Sequence, residues 1–134
     1  MKIRRTLALL FLMLIVALSW ITNFGWYRLF GTLILIPFIH AIFVFAISVV
    51  GINYLDFKKI RAYNFLFLIT YLMSNIFLSD VNEEDVLMFF GLIHNGVLCN
   101  IGNVIAIISL IAHLGLSILQ IIEIRRVDKS REKT

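Results

Sequence analysis

Two histidines are the side chains of this chain that are best suited to chemistry. His40 and His113 each lie in a long stretch that contains no charged residue. Imidazole titrates near neutral pH and ligates metals, so the pair could carry protons or hold a haem iron. Ionisable groups at the centre of a membrane are costly and are therefore functional candidates. The competing interpretation is a neutral, hydrogen-bonded imidazole that only packs.

A row of small and polar residues has the spacing of one helix face. Its members recur every three or four positions, which places them on the same side of a helix. In membranes, small residues let helix backbones approach and polar residues hydrogen-bond across helices. The row therefore predicts a helix–helix seam, with a polar path along the same face as the alternative. This polar stripe consists of Asn95, Cys99, Gly102, Ala106, Ser109, His113, Ser117 and Gln120.

The elements that position these residues follow from the distribution of charge. Four stretches carry no charged residue, and they cover residues 6–27, 29–55, 62–79 and 86–122. A helix needs about 20 apolar residues to cross a bilayer. With 61% hydrophobic and 15% charged residues, the composition favours a membrane protein over a soluble domain. We predict an all-α, multi-pass membrane protein whose single domain, residues 1–134, is a bundle of four transmembrane helices.

The last uncharged stretch is too long for one span. As a single helix, residues 86–122 would extend about 55 Å across a hydrocarbon core of about 30 Å. The polar breaks near residues 94–96 and 100–103 predict a short outer interfacial helix over about residues 84–94, with one long tilted helix as the alternative. Pro37 predicts a mild kink in the second span. The spans are expected at about 6–27, 29–54, 63–80 and 100–122, with a cytoplasmic tail over 123–134.

The basic residues indicate the orientation. All of them except Arg28 precede the first span, join the second to the third, or follow the fourth. Loops rich in lysine and arginine stay in the cytoplasm, which predicts a bacterial inner membrane protein with both termini inside. His40 and His113 then lie at similar depth on parallel helices, level with Tyr71 of the third span. We predict that these three residues form one midplane polar centre.

The sequence contains no recognisable catalytic motif. The single Cys99 excludes an intramolecular disulfide and a CxxC pair. There is no GxSxG, SxxK or HExxH signature and no zinc-ligand spacing. The net charge of +4 is explained by topology, so it does not indicate a nucleic-acid partner. We predict a non-enzymatic protein without catalytic, cofactor-binding or metal-binding residues, surrounded by the lipid bilayer.

Assembly is the function that these features favour. The polar stripe would join the chain to copies of itself or to another membrane protein, as small accessory, immunity or exclusion proteins do. One alternative is a small oligomeric channel or ion or proton leak protein that uses the fourth span and the midplane histidines. A second alternative is a haem-binding electron-transfer subunit with His40 and His113 as iron ligands.

Overall fold

The computed structural model describes residues 2–22, 25–81 and 86–132, and these residues are mostly helical. With 82% of the described residues in helices, the prediction of an all-helical protein is confirmed. One short antiparallel hairpin interrupts the helices. In chain order, the described elements are α1 (Lys2–Thr22), α2 (Trp26–Leu33), α3 (Ile36–Asn53), α4 (Lys58–Ile76), β1 (Asp80–Val81), β2 (Val86–Leu87) and α5 (Gly96–Arg131).

Three helices of the described chain are long and apolar enough to cross a membrane. They are Arg5–Thr22 within α1, Ile36–Asn53, which is α3, and Gly96–Arg131, which is α5. The third predicted span, residues 63–80, overlaps α4, but three of the first four residues of α4 are basic and the helix carries two asparagines, so it is less apolar. By composition and length, three helices could therefore cross a membrane, which is consistent with a membrane protein.

The second predicted span is broken rather than kinked. α2 ends at Leu33, and Leu35 has a left-handed backbone with φ of 59° before α3 begins at Ile36. Pro37 lies in the first turn of α3. At that position a proline loses no intrahelical hydrogen bond, and its fixed φ suits the start of a helix. The expected mild kink at Pro37 is therefore wrong, because the proline starts a new helix instead of bending an old one.

The prediction of an outer helix over residues 84–94 is wrong. The structure describes residues 86–94 of this range, and they are not helical. Strand β2 pairs with β1, and Met88 forms a further bridge with Ile93. Between these two residues, the φ angles of Phe89, Phe90 and Gly91 are all positive, at 53°, 62° and 73°. Successive positive φ angles are incompatible with a right-handed helix. Residues 82–85, which include three of the four acidic residues of this loop, lie outside the described residues.

α5 is one continuous helix that begins before the predicted fourth span and ends well after it. Its 36 residues extend about 54 Å at 1.5 Å per residue. Asn95 caps its start, because its side-chain oxygen accepts hydrogen bonds from the amides of Val97 and Leu98 at 3.0 and 3.1 Å. The predicted boundaries near residues 100 and 123 are therefore corrected to Gly96 and Arg131, and most of the predicted tail is helical.

α4 occupies the central position in the packing. It contacts α5 most extensively and also contacts α1 and α3. One buried cluster joins α1, α3 and α4 through Val16, Val44, Ile47, Phe67 and Tyr71. A second cluster joins the start of α4 to the end of α5 through Ile60, Ile124 and Val127. α4 therefore covers the helix that carries the polar stripe.

Candidate functional site

The polar stripe lies in the interior of this chain. Six of its members are buried, Ser109 is half-buried, and Asn95 is exposed at the cap of α5. Because α4 is the main neighbour of α5, the stripe forms an intramolecular seam. This face of α5 is therefore covered by other helices of the same chain, chiefly α4. The buried members are Cys99, Gly102, Ala106, His113, Ser117 and Gln120.

Hydrogen bonds across the seam connect α5 to both α3 and α4. The Gln120 amide nitrogen donates to Asn64 Oδ1 at 3.1 Å and to the carbonyl oxygen of Ile47 at 3.3 Å. His113 Nδ1 lies 3.0 Å from the carbonyl oxygen of Phe67. A buried polar group without a partner costs free energy, so these bonds allow polar residues to remain on an otherwise apolar interface.

Two glycines permit the close approach of the helices. A Cβ atom at Gly51 would overlap the Gln120 amide nitrogen and lie 2.8 Å from Asn64 Oδ1. A Cβ atom at Gly102 would overlap the Met88 sulfur and lie 2.9 Å from the carbonyl oxygen of Phe77. Small residues are favoured where helix backbones pack this closely in membranes.

The structure brings the three residues of the predicted midplane centre into contact. The His40 ring centroid lies 5.1 Å from that of Tyr71 and 5.1 Å from that of His113. Tyr71 and His113 are 5.5 Å apart, and Phe67 stacks on His113 at 4.1 Å. The Nε2 atoms of both histidines are buried and have no hydrogen-bond partner among the described residues. The centre is therefore a cluster of aromatic contacts with two unused imidazole nitrogens.

This geometry bears on haem and on nucleophilic chemistry. His40 and His113 are in edge contact, which leaves no space for iron and a macrocycle between them. This contact does not favour haem ligation by the two histidines.

The Cys99 sulfur is buried, 3.7 and 3.8 Å from the carbonyl oxygens of Val86 and Ile93. Within the described residues, no group of three or more metal-ligating side chains comes together.

Arg28 and Asp80 form a buried ion pair that sequence reasoning missed. Arg28 Nε lies 3.9 Å from Asp80 Oδ2, and the two side chains are 1% and 0% exposed. The same carboxylate oxygen accepts hydrogen bonds from the backbone amides of Gly25 and Arg28 at 3.0 and 2.8 Å. Asp80 thus places a negative charge at the start of α2, where the helix dipole favours it.

The Arg28 guanidinium also connects the ends of two longer helices. It donates to the carbonyl oxygens of Ser19 in α1, Asn75 in α4 and Leu78, the last two at 3.1 and 2.8 Å. Its central carbon lies 5.1 Å from the centre of the Trp20 ring, a cation–π distance. In sequence, Arg28 is only an isolated charge between two apolar stretches, and nothing there indicates these partners.

A cavity of about 650 Å³ lies beside the midplane centre. Its walls come from four helices, so no local sequence pattern could reveal it. His40 and Tyr71 belong both to this cavity and to the midplane centre. The other lining residues are Met13, Val16, Ala17, Trp20, Ile21, Thr32, Ile36, Pro37, Phe38, Ala41 and Asn75.

Comparison with known proteins does not assign this site. No protein-family model, no curated protein and no solved structure matches the chain. The functional interpretation therefore rests on the internal seam, the midplane centre, the buried ion pair and the cavity.

Proposed function

We propose that this chain is a four-span, non-enzymatic protein of a bacterial inner membrane that assembles with copies of itself or with another membrane protein. In this proposal the spans are α1, the α2–α3 pair, α4 and α5. The packing of α4 supports its inclusion, because it lies against all three candidate spans. Its outward side chains Phe65 and Leu66 are 63% and 45% exposed, and lipid would cover these apolar groups at no cost.

The distribution of charge supports a common side for the start of α4 and the end of α5. The buried cluster of Ile60, Ile124 and Val127 joins these two helix ends. Around it, basic side chains of both helices are exposed, and Lys59 Nζ lies 4.0 Å from Glu123 Oε1. A surface with this excess of lysine and arginine belongs on the cytoplasmic side, so we place both termini inside.

Cysteine labelling tests this topology. In a Cys99→Ser background, Glu84→Cys should react with a membrane-impermeant maleimide in intact cells, whereas Lys59→Cys and Lys129→Cys should react only after permeabilisation. The expected contrast arises because α4 separates residue 59 from residue 84 across the bilayer. Equal labelling of positions 59 and 84 in intact cells would show that α4 does not cross the membrane.

The observation that carries the assembly proposal is the face of α5 opposite the polar stripe. This outer face is exposed along its length, with Ile111 66% exposed. At Gly115, an added Cβ atom would meet no other atom within 4 Å. A small residue in an apolar face lets a second helix approach closely, and an amide such as that of Asn100 can hydrogen-bond across the interface. The outer face consists of Asn100, Val104, Ile107, Ile111, Gly115, Ile118 and Ile122.

This proposal moves the assembly surface away from the polar stripe, because α4 already covers the stripe. Because α4 covers the stripe, a pore along the stripe of a single chain is also disfavoured. His113 is 0% exposed and is held between Phe67 and His40, so water would have to displace these rings to pass. We therefore favour assembly over the channel alternative.

Cross-linking tests the assembly surface. In the Cys99→Ser background, oxidation should convert Ile111→Cys into a disulfide-linked dimer, because identical outer faces would meet. Phe65→Cys, an equally accessible position on α4, is the matched control and should stay monomeric. Gly115→Leu should weaken the dimer about ten-fold in mild detergent, which corresponds to about 1.4 kcal/mol. A monomer at every concentration with no co-purifying membrane protein would contradict the proposal, and His113-dependent proton flux into liposomes would favour the channel alternative.

A further inference from the structure

The cavity beside the midplane centre has the dimensions and walls of a small-molecule site. Its volume of about 650 Å³ lies within the roughly 300–1,000 Å³ of small-molecule pockets. At its rim, Ile21, Ile36 and Phe38 are 68%, 54% and 54% exposed. These residues belong to the candidate spans α1 and α3, so the mouth faces lipid when those helices are in a membrane. A ligand would therefore enter from the bilayer.

The inner wall of the cavity offers hydrogen bonds. His40 lines it, and its side chain is half-buried. The Tyr71 ring, in edge contact with His40, lines the cavity too, as does the side chain of Asn75. A buried polar group without a partner costs free energy, so beside these polar side chains a ligand with hydrogen-bonding oxygens is favoured over a purely apolar one.

The walls select for a neutral ligand. No charged side chain is among the described residues that line the cavity. The nearby Arg28 is directed to the backbone carbonyl oxygens of Ser19, Asn75 and Leu78, and its charge is paired with Asp80. A phosphate or carboxylate would be desolvated without a counter-charge, which is strongly unfavourable. Aromatic side chains from three helices, Trp20, Phe38 and Tyr71, instead suit a planar ring.

We propose that this cavity binds a neutral, lipid-soluble ring compound with carbonyl oxygens, the chemistry of a membrane quinone headgroup. One ring carbonyl accepts a hydrogen bond from His40, and the aromatic walls contact the ring faces. The apolar tail leaves through the mouth between α1 and α3. This binding site is independent of the assembly surface, since the outer face of α5 does not line it.

Tryptophan fluorescence can measure this binding directly. The chain has two tryptophans, of which Trp20 lines the cavity, so a Trp26→Phe background leaves one reporter. In lipid nanodiscs, a decyl-tailed benzoquinone should quench Trp20 saturably. Ala17→Phe should abolish saturation by filling the cavity. His40→Phe keeps an aromatic ring but removes its nitrogens, and it should raise the Kd about ten-fold, the size expected for one buried hydrogen bond.

Control variants and decanol as a second probe distinguish quinone binding from non-specific quenching and from the binding of a lipid chain. Ala8→Phe introduces the same side chain on α1 at an exposed position outside the lining residues, and it should leave the Kd unchanged. If Ala17→Phe fails to fold by circular dichroism, Ala41→Leu blocks the cavity from α3. Unsaturable quenching, or equal quenching in the blocked variants, would overturn the proposal. The proposal would also be overturned if decanol displaced the benzoquinone and the His40→Phe variant bound the benzoquinone with an unchanged Kd. That result would identify the cavity as a site for lipid chains.

Discussion

Replacing Arg28 with methionine should lower the free energy of unfolding by about 3 to 5 kcal/mol, the usual loss when one partner of a buried ion pair is removed. Methionine fills similar volume but cannot donate to the carbonyl oxygens of Ser19, Asn75 and Leu78. It also leaves the buried Asp80 carboxylate without its cation. Unfolding with sodium dodecyl sulfate, followed by circular dichroism in mixed micelles, measures the change.

Three further substitutions show whether the ion pair is responsible. Arg28→Lys keeps the charge but lacks the planar guanidinium fork that reaches three separate carbonyl oxygens, so it should lose much of the same stability. Asp80→Asn should cost less than Arg28→Met, because an amide oxygen can still accept from the Gly25 and Arg28 amides. Arg126→Met, at a side chain that is 74% exposed, should change stability by less than about 0.5 kcal/mol. Equal effects at positions 28 and 126 would show that the buried pair does not stabilise the fold.

Replacing Gly102 with leucine should lower the free energy of unfolding by about 3 kcal/mol, at the upper end of the range for overpacked cores. The reason is the neighbour: the Phe77 carbonyl oxygen, 2.9 Å from the position of a Cβ atom, belongs to the backbone and cannot rotate away. The expected response is a loosened α4–α5 seam, with earlier unfolding in the same detergent titration.

The controls for this prediction lie on the same helix. Ala106→Leu, at a position that is 2% exposed, should also destabilise the protein, by about 1 to 3 kcal/mol. Leucine at Ile107 or Ile111, which are 55% and 66% exposed, should have little effect on the monomer. If all four variants unfolded alike, the seam would not be the tightly packed interface that the structure shows.

Sequence patterns are most informative where one helix alone decides the outcome. The period of the polar stripe depends only on the helical repeat, so its residues could be assigned to one face before any partner was known. Depth in the membrane likewise depends on counting along each helix, and this was enough to propose that His40, Tyr71 and His113 meet. The start of α5 is also decided locally, because Asn95 caps it with its own side chain, but the prediction placed the start of the fourth span near residue 100.

Prediction failed at turns and at helix boundaries. The apolar run after residue 86 has the composition of a helix, but it pairs with β1 and then turns through three positive φ angles. Pro37 predicts a mild kink within a helix, whereas the chain breaks at Leu35 and uses the proline to begin α3. Both errors lie at element boundaries, where prediction from a single sequence is least reliable.

The sequence by itself determined that this protein is helical and apolar enough for a membrane, because uncharged length and composition are properties of the chain alone. Only the tertiary structure decided that α4 covers the polar stripe, that Arg28 pairs with Asp80, and that His40 borders a cavity. Each of these depends on segments that are far apart in sequence. A buried charge or an unpaired imidazole nitrogen acquires its energetic meaning only from the groups that surround it in space.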